Sequence, residues 1–209
     1  MSRVIGFLGA LLLAATLSAA TAPTILVFGD SLSAGYGIHV EQGWVSLLAR
    51  KISQTAYGFR VINASISGET SAGGLARLPH ALELQQPSIL ILELGANDGL
   101  RGLPLSGTRA NLDKMIGLAQ ARGVTVLLIG MRLPPNYGER YTTQFQALYT
   151  DLAQAHHLAL VPFLLDSVAL NPALMQGDQL HPNDKAQPLL LDTVWPKLEP
   201  LLHRPHKGS

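Results

Sequence analysis

The chain has 209 residues, enough for a leader and one domain of ordinary size, with 47% hydrophobic residues and no cysteine. Fifteen basic against fourteen acidic side chains leave a formal charge of +1, so the composition offers no electrostatic footprint for nucleic acid. The apolar fraction argues against a disordered chain. The missing cysteine excludes disulfides, a thiolate nucleophile and a cysteine-ligated zinc.

At the amino terminus, Arg3 precedes an apolar run from Val4 to Ala15, and small residues follow from Thr16 to Ala22. A basic start, an apolar stretch and a small-residue end describe a secretory signal peptide, with cleavage near Ala20 or Ala22. The run is shorter than the about 20 apolar residues that a membrane span requires. Residues 1–22 therefore read as a leader, 23–203 as one domain and 204–209 as a disordered tail. The expected mature protein is a periplasmic or secreted monomer without stable membrane insertion.

Beyond the leader, Ile25 to Phe28 is short, apolar and followed by Gly29, the pattern of a buried strand. Helix is predicted from Trp44 to Gln54, strand from Phe59 to Asn63 and helix from Ser71 to Leu84. Ser88 to Leu94 is the strongest strand. Thr108 to Arg122 reads as helix, Val124 to Ile129 as strand, Glu139 to His156 as helix and Leu158 to Val161 as strand. Leu189, Leu190, Leu191, Val194, Trp195 and Leu198 suggest a closing helix whose limits Pro188 and Pro196 blur. Strands that alternate with helices and are apolar throughout imply a parallel sheet covered on both faces. The predicted architecture is a three-layer α/β/α sandwich with about five parallel strands, flavodoxin-like in plan. Its ligand site belongs beyond the carboxyl ends of the strands.

Chemically distinctive residues fall there. Gly29-Asp30-Ser31-Leu32-Ser33 follows the first strand, and Gly68 lies just after the second. Gly95-Ala96-Asn97-Asp98 terminates the third, and Asp178-Gln179-Leu180-His181 precedes the closing helix. Acyl transfer needs a nucleophile, a base, a group that orients the base and donors for an oxyanion. Ser31 supplies a hydroxyl and an N–H at a helix start. Gly68 lets its N–H approach a substrate closely, and the Asn97 amide is a third donor. His181 is placed to take the serine proton, and Asp178, one short turn upstream, to fix its tautomer. Asp30 reads as a turn-capping residue and Asp98 as structural. The other six histidines, at 39, 80, 156, 157, 203 and 206, read as surface or tail. No further ligands accompany Asp178 and His181 that would make a metal site.

These blocks resemble the SGNH (GDSL) hydrolase family, in family order and over nearly all of the mature chain. Gly29-Asp30-Ser31-Leu32-Ser33-Ala34-Gly35-Tyr36-Gly37, Gly95 to Gly102 and Met131 to Gly138 are similar to the bacterial periplasmic thioesterase/lysophospholipase/arylesterase subgroup. Where the family often has glycine after the aspartate, Gln179 stands here. The resemblance implies a Ser31, Asp178 and His181 triad and an oxyanion hole of Ser31, Gly68 and Asn97. It also implies a mobile loop after Asn97 that accommodates the acyl chain. Leu100, Arg101, Gly102, Leu103 and Pro104 in that loop, with Leu133 and Pro134 after the fourth strand, are the candidate substrate-binding residues. The expected activity is hydrolysis of lipid-like esters and thioesters through an acyl-serine, with no cofactor. Short aryl or sugar acyl esters, and a catalytically silent lipid- or glycan-binding module, remain the alternatives.

Overall fold

The computed structural model describes residues 22–203; the leader reading over 1–21 and the tail from 204 lie outside them. Five strands run parallel: β1 (Thr24–Gly29), β2 (Arg60–Asn63), β3 (Ile89–Glu93), β4 (Thr125–Ile129) and β5 (Ala159–Val161), in the order β2-β1-β3-β4-β5. Their connections are α1 (Ser31–Ala34) and α2 (Trp44–Ser53) after β1, then α3 (Ser71–Gln85) after β2. After β3 come α4 (Ala96–Leu100) and α5 (Leu105–Gln120), followed by α6 (Glu139–Ala155) and the closing α7 (Gln187–Leu202). Helices α2 and α7 pack together on one face of the sheet, and α3, α5 and α6 on the other. This is the three-layer sandwich expected from the alternation of elements.

Sequence hydrophobicity follows position in the sheet. All residues of β1 and β3 are buried, whereas β2 at the edge is half exposed. Burying each Leu or Ile of the central strands contributes about 1.5–3 kcal/mol, so these strands anchor the register. Thr70 caps α3 by accepting the Gly73 N–H at 3.2 Å. Pro188 falls in the first turn of α7, where no N–H is required. The same helix continues through Pro196 and Pro200 because Leu190, Val194, Leu198 and Leu201 are buried along it.

The helix start read at Ser31 is α1, only four residues long, whereas α4, at five residues too short to show a helical period, escaped the sequence reading. Helix α5 starts at Leu105, three residues before the predicted Thr108, and α4 ends at Leu100, so the loop expected after Asn97 is confined to residues 101–104. Tertiary ties reinforce it: Tyr137 donates to the Leu100 carbonyl at 2.9 Å and Tyr141 to that of Leu103 at 3.0 Å.

The carboxyl ends of β4 and β5 approach closely at Gly130, whose N–H donates to Val161 O at 2.8 Å. A Cβ there would lie 2.5 Å from the Pro162 carbonyl oxygen. Because that neighbour is backbone, Gly130→Ala should lower unfolding stability by about 1–3 kcal/mol, read as a reduced denaturant midpoint. An unchanged midpoint would show that the two strand ends separate freely.

Candidate active site

Strand β1 delivers the chain to Asp30, whose carboxylate accepts the Leu32 N–H at 3.0 Å and caps α1. Ser31 is the first residue of that helix, so its N–H has no intrahelical acceptor. Its Oγ lies 2.9 Å from His181 Nε2, and His181 Nδ1 lies 2.6 Å from Asp178 Oδ2. The other Asp178 oxygen accepts the N–H groups of Leu180 and His181 at 2.9 and 3.0 Å. One carboxylate thus holds both the backbone and the ring of the histidine, with Nδ1 placed to donate and Nε2 to accept. Partial burial works to raise the Asp178 pKa, but these hydrogen bonds outweigh it and hold the carboxyl at about 2.

Gly68 follows β2 with φ +80°, a conformation suited to glycine, and its N–H finds no acceptor among the described residues. Its carbonyl accepts from Arg101 Nη2 at 3.0 Å. Asn97 lies in the first turn of α4, and its amide nitrogen donates to Asp30 Oδ2 at 3.1 Å and to Glu69 O at 3.0 Å. Both amide hydrogens are therefore engaged. For Asn97 to serve an oxyanion, one of them must be shared with or passed to the substrate.

A cavity of about 560 Å³ opens at Ser31 and His181, walled by Leu100, Met131, Leu133, Pro134, Phe163 and Leu165 among others. A larger hollow of about 960 Å³ lies at the opposite, amino end of the strands, beside Thr24, Ser88 and Val124. It is remote from the serine–histidine pair.

The profile of the GDSL-like Lipase/Acylhydrolase family matches residues 27–188. The chain belongs to that family. It is 49% identical to Esterase TesA of Pseudomonas aeruginosa, across 93% of this chain and 96% of that one. It is 44% identical to Thioesterase 1/protease 1/lysophospholipase L1 of Escherichia coli, across 90% and 89% of the two chains. A crystal structure of the psychrotrophic esterase EstA from Pseudoalteromonas, inhibited by monoethylphosphonate, superposes with a TM-score of 0.81 at 43% identity, covering 87% of this chain and 99% of that one.

In this GDSL-like chain the four predicted blocks meet at the carboxyl edge of the sheet. Of the candidate substrate-binding residues, Leu100, Leu133 and Pro134 line the cavity. Arg101, Gly102, Leu103 and Pro104 do not: Arg101 turns to Gly68 and Leu103 faces solvent. The apolar run after β5 supplies walls the sequence reading missed, Phe163 and Leu165. Tyr36, whose ring lies 4.6 Å from that of His181, was missed too. So was Gln176, which donates to the carbonyls of Tyr36 and Pro182 and ties the histidine loop to the serine loop. Gln179 has φ +57°, so the departure from glycine places a side chain in the left-handed region. Its own amide partly compensates by donating to Gln176 O at 3.1 Å. Of the histidines read as surface or tail, His156 pairs with an acid, Asp113 at 2.7 Å, because α5 brings it beside the end of α6.

Burial pushes the Asp30 carboxyl from 3.8 up to about 6, although the Leu32 N–H, His181 and the Asn97 amide pull it down. Between about pH 4 and 6 the folded protein therefore keeps a proton that the unfolded chain has released, and stability falls as pH rises. Asp30→Asn should remove this loss. Its stability relative to wild type should grow between pH 4 and 6.5 by on the order of 3 kcal/mol, two pKa units at about 1.4 kcal/mol each. A difference independent of pH in denaturant titrations would contradict the shift.

Proposed function

We propose that this chain hydrolyses carboxylic esters and thioesters of lipid-like acyl groups through an acyl-Ser31 intermediate. His181 Nε2 takes the Ser31 proton as Oγ attacks the acyl carbon, and Asp178 stabilises the imidazolium that forms. The developing oxyanion is held by the N–H groups of Ser31 and Gly68 and by a hydrogen of the Asn97 amide. Collapse of the tetrahedral intermediate expels the alkoxide or thiolate, which receives the proton from His181. Water then attacks the acyl-serine by the same route and frees the acid.

The observation that carries this reading is the unbroken Asp178–His181–Ser31 hydrogen-bond chain at the mouth of an apolar cavity. Its size falls within the range of small-molecule sites, and its leucine, methionine and phenylalanine walls suit an alkyl chain. The printed names of the relatives, esterase and thioesterase/lysophospholipase, agree with it. Among the described residues no helix is long and apolar enough to cross a membrane. With the leader pattern of residues 1–22, this supports an exported enzyme meeting acyl esters in the periplasm or outside the cell.

On a p-nitrophenyl ester series, kcat/KM should rise from acetate toward medium chains. Each added methylene that reaches the cavity is worth up to about fourfold, since burial contributes about 0.8 kcal/mol. A maximum at acetate would favour short acyl substrates instead. Ser31→Ala should abolish turnover across the whole series while leaving thermal unfolding unchanged. Residual turnover at the wild-type rate would place the nucleophile elsewhere. Asn97→Ala should lower kcat by about 10²–10³, and an unchanged kcat would remove its amide from the oxyanion hole.

A further inference from the structure

One acidic side chain lies in the deepest layer beneath the site and has no part in the chemistry above. Glu93 ends β3, is fully buried, and pairs in register with Gly29 of β1. Its Oε2 accepts two hydrogen bonds, from the Asp30 N–H at 3.2 Å and from the Ser33 hydroxyl at 2.7 Å. These donors flank Ser31 on both sides, so a single oxygen fixes the residue before the serine and the residue two after it. The other oxygen, Oε1, is buried without a hydrogen-bond partner among the described residues. An ionised carboxylate so placed would leave charge unpaired in the core. Burial and the facing Asp30 carboxyl push Glu93 well above the usual carboxylate range.

We propose that Glu93 is a positioning residue for the reaction, a buried acceptor that sets where the Ser31 hydroxyl stands relative to the oxyanion donors. The proposal rests on the reading of Ser31 as nucleophile. Two further features of the structure support it. Strand β3 ends at Glu93, and the chain passes through Leu94 and Gly95 into the first turn of α4, which carries Asn97, so the same backbone that holds the serine loop also holds the amide. Gly29 is also built around the same oxygen: a Cβ at that position would lie 2.5 Å from Glu93 Oε2 and 3.0 Å from the Ser33 Cβ. With the carboxyl group in place, position 29 has no room for a side chain of its own. Displacing a reacting group by 1 Å costs about 10²-fold in rate, so removal of this acceptor should be felt in kcat.

The test compares Glu93→Gln, Glu93→Leu and Ser33→Ala with wild type and Ser31→Ala on one p-nitrophenyl ester. Glutamine keeps an acceptor of the same shape, and kcat should stay within about threefold. Leucine fills the space without an acceptor; kcat should fall by about 10–100-fold with KM within about twofold. Ser33→Ala, which keeps the core filled should the leucine variant fail to fold, should lower kcat severalfold at constant KM. Wild-type kcat in Glu93→Leu or in Ser33→Ala, or equal losses in Glu93→Gln and Glu93→Leu, would overturn the proposal. Turnover surviving in Ser31→Ala would instead defeat the nucleophile assignment, so the two failures are distinguishable.

Discussion

The site depends on the pairing of β1 with β3, which places Gly29 opposite Glu93 and brings two strand ends out side by side. The chain then leaves β1 toward one face of the sheet and β3 toward the other, because α2 packs with α7 and α5 with α3 and α6. A crevice opens where the two directions part, at the switch point of the strand order. Ser31 starts the helix on one side of it and Asn97 the helix on the other, with Asp30 Oδ2 bonded to the Asn97 amide across the gap. The distance between hydroxyl and amide is therefore set by strand register, which buried Leu and Ile residues fix far more firmly than any loop contact could.

The histidine reaches this crevice by a different principle. Asp178, Gln179, Leu180 and His181 form a tight turn in which one carboxylate accepts two backbone N–H groups and faces the imidazole. The turn is largely exposed, so its order comes from hydrogen bonds more than from burial. Gln176 supplies the tie to the rest of the molecule through the carbonyls of Tyr36 and Pro182. The acidic residues divide accordingly. Asp178 is held ionised by donors, whereas Glu93 and Asp30 sit where burial opposes charge. Asp98 does structural work, accepting from the N–H and hydroxyl of Ser71 and joining α3 to α4 and α5.

The central strands were legible because β1 from Ile25 to Phe28 and β3 from Ile89 to Leu92 are buried and apolar throughout, and the layer order followed from their alternation with helices. The four chemical blocks were legible because each is local and ends a recognisable element. What stayed hidden arises from packing between distant segments. Glu93 gave a signal, a single acid closing an otherwise apolar strand, but its role appears only when Gly29 stands opposite. Tyr36 and Gln176 act through backbone carbonyls and ring contacts that no spacing encodes. The resemblance implied that the loop after Asn97 accommodates the acyl chain. Leu100 does line the cavity, whereas Tyr141 holds the Leu103 carbonyl and the Leu103 side chain faces solvent. The short run after β5 carried no motif, so its contribution to the cavity could not be read.

The central claim is that the Ser31 hydroxyl, made nucleophilic by His181, is the atom that carries the acyl group. Covalent trapping tests it most directly: the purified protein is treated with an alkyl p-nitrophenyl phosphonate and the adduct located by peptide mass spectrometry. The account predicts one phosphonyl group per molecule, on Ser31, with loss of turnover in proportion to labelling and a labelling rate sharply reduced in His181→Ala. A label on any other residue, or turnover that persists with Ser31 fully modified, would contradict it.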